Sequence, residues 1–261
     1  MPDYLITCDD CGLSEGINEA AAALYETGIA TDASIMTNQT ATQHAMALFA
    51  HYPGFRLGIH LNLTDGYPLS RLPRSSDLTT ADGRFRSRTH LFSHALLAGR
   101  TYRQQIRQEL QAQINAFLET GTTPHHLTTH MHFHIVPGLR QIVMELAERY
   151  HIPWVRSYHP QHSILPYTRP LQSLLPDPRP AAHPIRTPDY LAGVYFWMEH
   201  QPRQLCARLG SLSGRVEIVV HPGKTDDPTF PPATAYAPAR RAAESRYITA
   251  LHLMLRAVHC A

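Results

Sequence analysis

Asp9 and Asp10 stand side by side where the first apolar run, Tyr4-Leu5-Ile6-Thr7, comes to its end. His60 and Asn62 alternate with Leu57, Ile59, Leu61 and Leu63, and His130, His132 and His134 alternate with Met131, Phe133 and Ile135. Arg156 and His221 each close a later apolar run. Carboxylates and imidazoles are the donors that hold a divalent cation through three protein ligands and leave a further position for water. Such a cation lowers the pKa of water toward neutrality and polarises a carbonyl oxygen. A second carboxylate can take the proton released, and an opposed histidine can protonate a leaving nitrogen. Residues of the right type are present for each role, which points to metal-assisted hydrolysis.

These residues carry unequal weight. An acidic pair closing a buried strand needs a partner, and a reactive site is the economical one. His60 alone is equally well explained as a hydrogen-bonded core histidine. Three imidazoles on one strand face need polar partners, which a metal or a substrate supplies. Same-face neighbours on a strand lie about 7 Å apart, so the three need not all hold one ion. His221 alone is a weak signal, and His125 and His126 read as loop before the strand.

The elements that must position these groups follow from periodicity. Tyr4–Thr7 reads as a buried strand, with Ser14 as the N-cap of a helix carrying Ile17, Ala21 and Leu24 and stopping at Gly28. Thr31–Thr37 and Arg56–Thr64 read as strands separated by a helix over Ala41–His51. Thr101–Glu119 is the clearest helix, with Ile106, Leu110, Ile114, Phe117 and Leu118 on one stripe and Gly121 at its end. Leu127–Val136 reads as a strand with Thr128, His130, His132 and His134 on one face, followed by a helix from Pro137 to Tyr150. Ile152–Arg156 and Val216–Val220 read as further strands, and Ala239–Val258 as a closing helix. Strands alternating with helices indicate a parallel sheet or barrel, whose strand carboxyl ends form the active-site face. No phosphate-cradling glycine loop follows the first strand, so a nucleotide-binding Rossmann reading loses its main support. One domain over residues 1–261 is expected, with a proline-rich excursion at about 157–190.

Composition excludes some partners. The formal net charge is +2 and no basic patch is visible, so nucleic acid is not expected. No apolar stretch reaches the length of a transmembrane helix. The N-terminus lacks a basic region followed by a long apolar one, so the expected location is the cytoplasm. Cys8 and Cys11 form a C-x-x-C, but the acidic pair between them opposes thiolate formation, and the expectation is buried small residues.

Together the motifs resemble those of the YdjC-like carbohydrate deacetylases. Cys8-Asp9-Asp10-Cys11-Gly12-Leu13-Ser14 is similar to that family's A-D-D-F-G-L-S, and Gly58–Thr64 to its G-x-H-L-N-L-T. Pro124–His134, Val155-Arg156 and His221-Pro222-Gly223 resemble three further motifs in the same order. Ala81-Asp82-Gly83-Arg84-Phe85 and Arg186-Thr187-Pro188-Asp189 resemble the branch associated with hopanoid biosynthesis. The resemblance implies a distorted (β/α) barrel of the polysaccharide-deacetylase-like kind and one divalent metal ion, magnesium or zinc. It implies hydrolysis of the acetamide of an N-acetylated amino sugar, on an oligosaccharide or a glycolipid, by a chain that can form a homodimer. By position, Asp10, His60 and His130 match the metal ligands, Asp9 the general base and His221 the catalytic acid, with Arg156 orienting Asp9. Asn62, His132 and His134 fall to substrate binding. Cys8 and Cys11 replace the usual alanine and phenylalanine, Thr128 stands where many members carry aspartate, and His125 replaces a threonine. Two rival readings remain: another metal-dependent amidohydrolase or phosphoesterase on a similar barrel, and a non-catalytic metal- or glycan-binding protein.

Overall fold

The computed structural model describes residues 2–73, 75–97, 99–156, 185–232 and 236–259. The first apolar run continues further than its composition suggests, forming β1 over Asp3–Cys11. Ser14 then caps α1 (Glu15–Glu26) by accepting the Ile17 amide, and Gly28, at φ 72°, turns the chain out of the helix. β2 (Asp32–Ile35), α2 (Thr42–Phe49) and β3 (Arg56–Leu61) follow. After an irregular stretch come α3 (Arg88–Leu97) and α4 (Arg100–Leu118). On α4, Ile106, Leu110, Ile114 and Phe117 are wholly buried, as the stripe predicted, whereas Leu118, its fifth member, is exposed. Burial of such side chains stabilises by about 1.5–3 kcal/mol each, which is why α4 lies flat on the sheet.

Past α4 the structure departs from the sequence reading. β4 covers only His126–Thr129, and His130–Ile135 coil into a 3₁₀ turn instead of continuing the strand. Met131 and His132 adopt the left-handed conformation, at φ 56° and 53°. His130, His132 and His134 therefore do not share a strand face. α5 (Pro137–Arg149) and a short β5 (Trp154–Val155) come next. The proline-rich excursion falls largely on residues 157–184, outside the described residues. β6 (Tyr190–Gly193), α6 (Val194–Trp197) and α7 (Pro202–Gly210) were not foreseen from the sequence. β7 (Arg215–Val220) and α8 (Pro238–His259) close the chain as expected.

The strands form one sheet in the order β5-β4-β3-β2-β1-β7-β6, with every pairing parallel. Parallel strands covered on both faces are mostly apolar, and β1 is buried from Ile6 to Cys11 and β7 from Val216 to Val220. The sheet curls into an incomplete barrel. At its open edge Arg186 extends the ladder beyond β5, its amide and carbonyl pairing with Pro153 and Val155 at 2.9 and 3.0 Å. There the guanidinium groups of Arg186 and Arg215 lie over the Trp154 indole at 4.3 and 4.6 Å. Among the described residues no helix is long and apolar enough to cross a membrane.

Candidate active site

One irregularity in β1 builds the site. Its register against β2 runs from Cys8↔Ala33 to Cys11↔Ile35, so β1 carries one residue too many. The extra residue makes a bulge, with Asp10 at φ 62°. Adjacent strand residues normally face opposite sides. The bulge breaks that alternation, and both Asp9 and Asp10 reach His60.

Asp10 lies between two imidazoles. Its Oδ1 is 3.1 Å from His60 Nε2 and 2.7 Å from His130 Nδ1. Ligand atoms of the three residues all fall within 4.8 Å of one another. Each member is oriented from behind: His60 Nδ1 by the Thr128 hydroxyl at 2.7 Å, His130 Nε2 by Asp65 at 2.9 Å, and Asp10 Oδ2 by Arg241 at 2.7 Å. A hydroxyl thus takes the place where the sequence lacks an aspartate. Burial would raise the Asp10 carboxyl, but His130 and Arg241 hold it well below the usual carboxylate range. Burial lowers His60. Burial also opposes a charge on His130, yet Asp10 and Asp65 outweigh it and lift this imidazole to about 10. One carboxylate and two imidazoles, each held by a further partner, are the donor set of a catalytic divalent-metal site, so these residues fit such an ion.

Asp9 belongs to a second cluster. Arg156 grips it with Nη1–Oδ2 at 2.5 Å and Nη2–Oδ1 at 2.8 Å, and donates from Nε and Nη2 to Glu217 at 3.0 and 2.8 Å. The arginine side chain is completely buried. Burial favours the neutral form of Asp9, but Arg156 and His60 overcome it and keep the carboxyl ionised. Glu217 remains above its ordinary value because burial outweighs the same guanidinium.

His221 follows directly on β7. Its amide donates to Glu244 Oε2 at 2.7 Å and its Nδ1 lies 3.2 Å from the same oxygen. Burial would lower this imidazole, yet Glu244, with Asp10 and Asp9 behind it, lifts it above the usual histidine range. Tyr236 packs on its ring at 5.2 Å, and Tyr195 on Tyr236 at 5.1 Å.

The residues expected to meet substrate are placed differently from one another. Asn62 is fully buried, with Oδ1 accepting the Thr64 and Asp65 amides and Nδ2 donating to Asn38 Oδ1 and the Asp65 carbonyl. Its donors and acceptors are thereby used in holding the turn that presents Asp65, and none is left for a ligand. His134 is buried against the Thr129 hydroxyl. His132 packs edge-on against His134 at 6.0 Å, its Nδ1 is buried without a hydrogen-bond partner among the described residues, and burial, with Arg156 and His134, holds its imidazole well below the usual histidine range. Trp154 pairs with His126 at the start of β4 and lines a small cavity together with Thr128, Arg156 and Glu217. Cys8 and Cys11 are buried free thiols, pushed up by burial and by Asp9.

Sequence reasoning missed Asp65, Glu217, Arg241 and Glu244. Glu217 offered a signal, being the one charge in the apolar run Val216–Val220. Arg241 and Glu244 lie on α8 among many polar residues and look like a solvated face, although both are wholly buried.

Residues 4–254 match the sequence profile of a family described as YdjC-like protein. A protein from Geobacillus stearothermophilus named carbohydrate deacetylase is 37% identical over 154 residues, 59% of this chain and 59% of its own length. One of the same name from Brevibacillus brevis is 35% identical over 150 residues, 57% of each. The matched segment thus spans less than two thirds of these relatives. In three dimensions the chain is similar to a crystal structure of a proposed cellobiose-phosphate cleavage protein from Enterococcus faecalis V583. The TM-score is 0.77 over 98% of this chain and 94% of that one, at 20% identity, which establishes the shared fold.

Proposed function

This chain belongs to the YdjC-like protein family, and from that premise we propose that it is a metal-dependent hydrolase removing the acetyl group of an N-acetylated amino sugar. The observation that carries the reading is the convergence of Asp10, His60 and His130 beside an Arg156-clamped Asp9. Relatives named carbohydrate deacetylase support the substrate class. The Ala81–Phe85 and Arg186–Asp189 motifs support the branch associated with hopanoid biosynthesis.

Asp10, His60 and His130 would hold the ion, and two imidazole donors suit zinc better than magnesium, which prefers oxygen. When bound, the ion supplies Lewis acidity for the acetamide carbonyl and for water. Asp9 accepts the proton of the attacking water. Arg156 keeps Asp9 ionised and fixes both its oxygens, at the expense of basicity. His221, held by Glu244 and favoured in its protonated form, gives a proton to the leaving nitrogen. Asp9 and His221 thus divide the two proton transfers. The tyrosines packed beside His221 offer a face for a sugar ring.

The test is acetate release from a panel of N-acetylated sugars by zinc-loaded protein and by its Asp9→Asn variant. The variant should keep its metal and lose about 10² or more in turnover. A variant that binds metal and deacetylates at the parent rate removes Asp9 from catalysis. A parent that binds metal and sugar but releases no acetate favours the binding-protein reading.

A further inference from the structure

The floor of the barrel, opposite the catalytic face, carries a second convergence of metal-ligating side chains. Asp32 opens β2, His126 opens β4, and His125 immediately precedes it. The two imidazoles approach through the same atom, Nδ1 to Nδ1, at 3.3 Å. Asp32 Oδ1 lies 3.7 Å from the first and 3.9 Å from the second. These separations admit a point about 2.1 Å from all three atoms, the length of a zinc–nitrogen or zinc–oxygen bond. We propose that Asp32, His125 and His126 form a second divalent-cation site, of zinc type, tying β2 to β4 at the amino end of the barrel.

Three features support it. His126 Nε2 is 2.9 Å from the Ser34 hydroxyl; donation there leaves Nδ1 with its lone pair, the arrangement that orients a ligating imidazole. A small cavity of about 20 Å³, lined by Asp32, His125 and His126 on one side and by Thr128, Arg156 and Glu217 from the catalytic cluster on another, has room for one ion or water. Gly58 makes room for the ring: a Cβ there would lie 2.3 Å from two atoms of the His126 imidazole. Opposing them, Arg56 already grips both Asp32 oxygens at 2.9 and 2.7 Å, and Arg186 and Arg215 act on His125. Those cations make this site the weaker of the two. It is independent of the catalytic reading, since it shares no residue with Asp10, His60 and His130.

The probe is Zn²⁺ itself, titrated into chelator-stripped protein and counted by elemental analysis after gel filtration, with Co²⁺ absorption reporting nitrogen ligation. The His60→Ala/His130→Ala protein should still bind one Zn²⁺ per chain, and adding His125→Ala, at a half-exposed position, should abolish it. In otherwise unchanged protein, His125→Ala should lower the count from two to one, a comparison that holds even if the double variant fails to fold. If the catalytic triad binds nothing, the count should fall from one to zero with His125→Ala and be untouched by His60→Ala. A count unaffected by His125→Ala in both backgrounds would overturn the proposal and leave a hydrogen-bonded floor.

Discussion

Replacing Arg156 by glutamine removes the shared counter-ion of two buried carboxylates. The parent side chain makes four charged hydrogen bonds, two to Asp9 and two to Glu217, with no exposure to water. Breaking a buried pair by removing one partner costs about 3–5 kcal/mol, because the charge left behind is uncompensated. For a chain of this size each kcal/mol lowers Tm by about 2–4 °C, so the variant should melt roughly 6–20 °C lower at neutral pH. The loss is within the 5–15 kcal/mol or so of a typical domain, and the variant should still fold. The sign of the pH dependence follows from the two carboxylates. In the parent, Asp9 is held below its unfolded value of about 3.9, so its contribution is present above that pH and lost as pH falls toward the folded value. In the variant, burial without the guanidinium raises both carboxyls, so ionising them costs stability as pH climbs past about 4. The gap between parent and variant should be widest at neutral pH and narrow toward pH 4–5. Thermal unfolding of both proteins at several pH values, in chelator throughout so that metal release does not enter, measures it. A gap that is below about 1 kcal/mol, or flat with pH, would refute the reasoning.

Elemental analysis should show His130→Ala losing most of its metal and His134→Ala keeping it, since the first imidazole meets Asp10 and the second is held by Thr129. His221→Ala should cripple acetamide hydrolysis while sparing an activated aryl acetate, whose leaving group needs no proton; equal losses on both substrates would make His221 a structural residue. Glu244→Gln should shift the alkaline limb of the acetamide pH–rate profile to lower pH, because the carboxylate that raises His221 is gone; an unmoved limb would exclude it as a positioning residue. Zinc binding by stripped protein at neutral pH should release a proton, measurable in buffers of different ionisation enthalpy, because metal-free His130 titrates at about 10.

Much of this architecture was legible because burial writes itself into spacing. The Ile106, Leu110, Ile114 and Phe117 stripe and the leucine alternation around His60 each have one packing solution, and the structure adopts it. The histidine run departs from its spacing for a local reason. His130-Met131-His132-Phe133-His134 has the period of a strand, but that spacing does not determine that the chain turns at Thr129, and no glycine marks the left-handed residues. The partners that orient the site were harder still. Asp65, Arg241 and Glu244 meet the motif residues across 65, 231 and 23 positions of chain, and such pairs have no local pattern. His125 and His126 read as loop because their common partner, Asp32, is brought beside them by sheet order alone.

The extra residue in β1 makes the two acids dependent on a count as much as on identity. Deleting Cys8 would match the steps from Thr7 to Cys11 with those from Asp32 to Ile35 and restore an even ladder with β2, and the adjacent carboxylates would again point to opposite sides of the sheet. One acid would then be lost to the helix layer although both aspartates remained in the sequence. The backbone at position 10 also constrains which replacements are informative. Asparagine tolerates a left-handed φ nearly as well as aspartate, whereas alanine adds conformational strain to the loss of charge. Asp10→Asn therefore isolates the charge, and a comparison with Asp10→Ala measures how much the fold itself spends to hold that carboxylate in place.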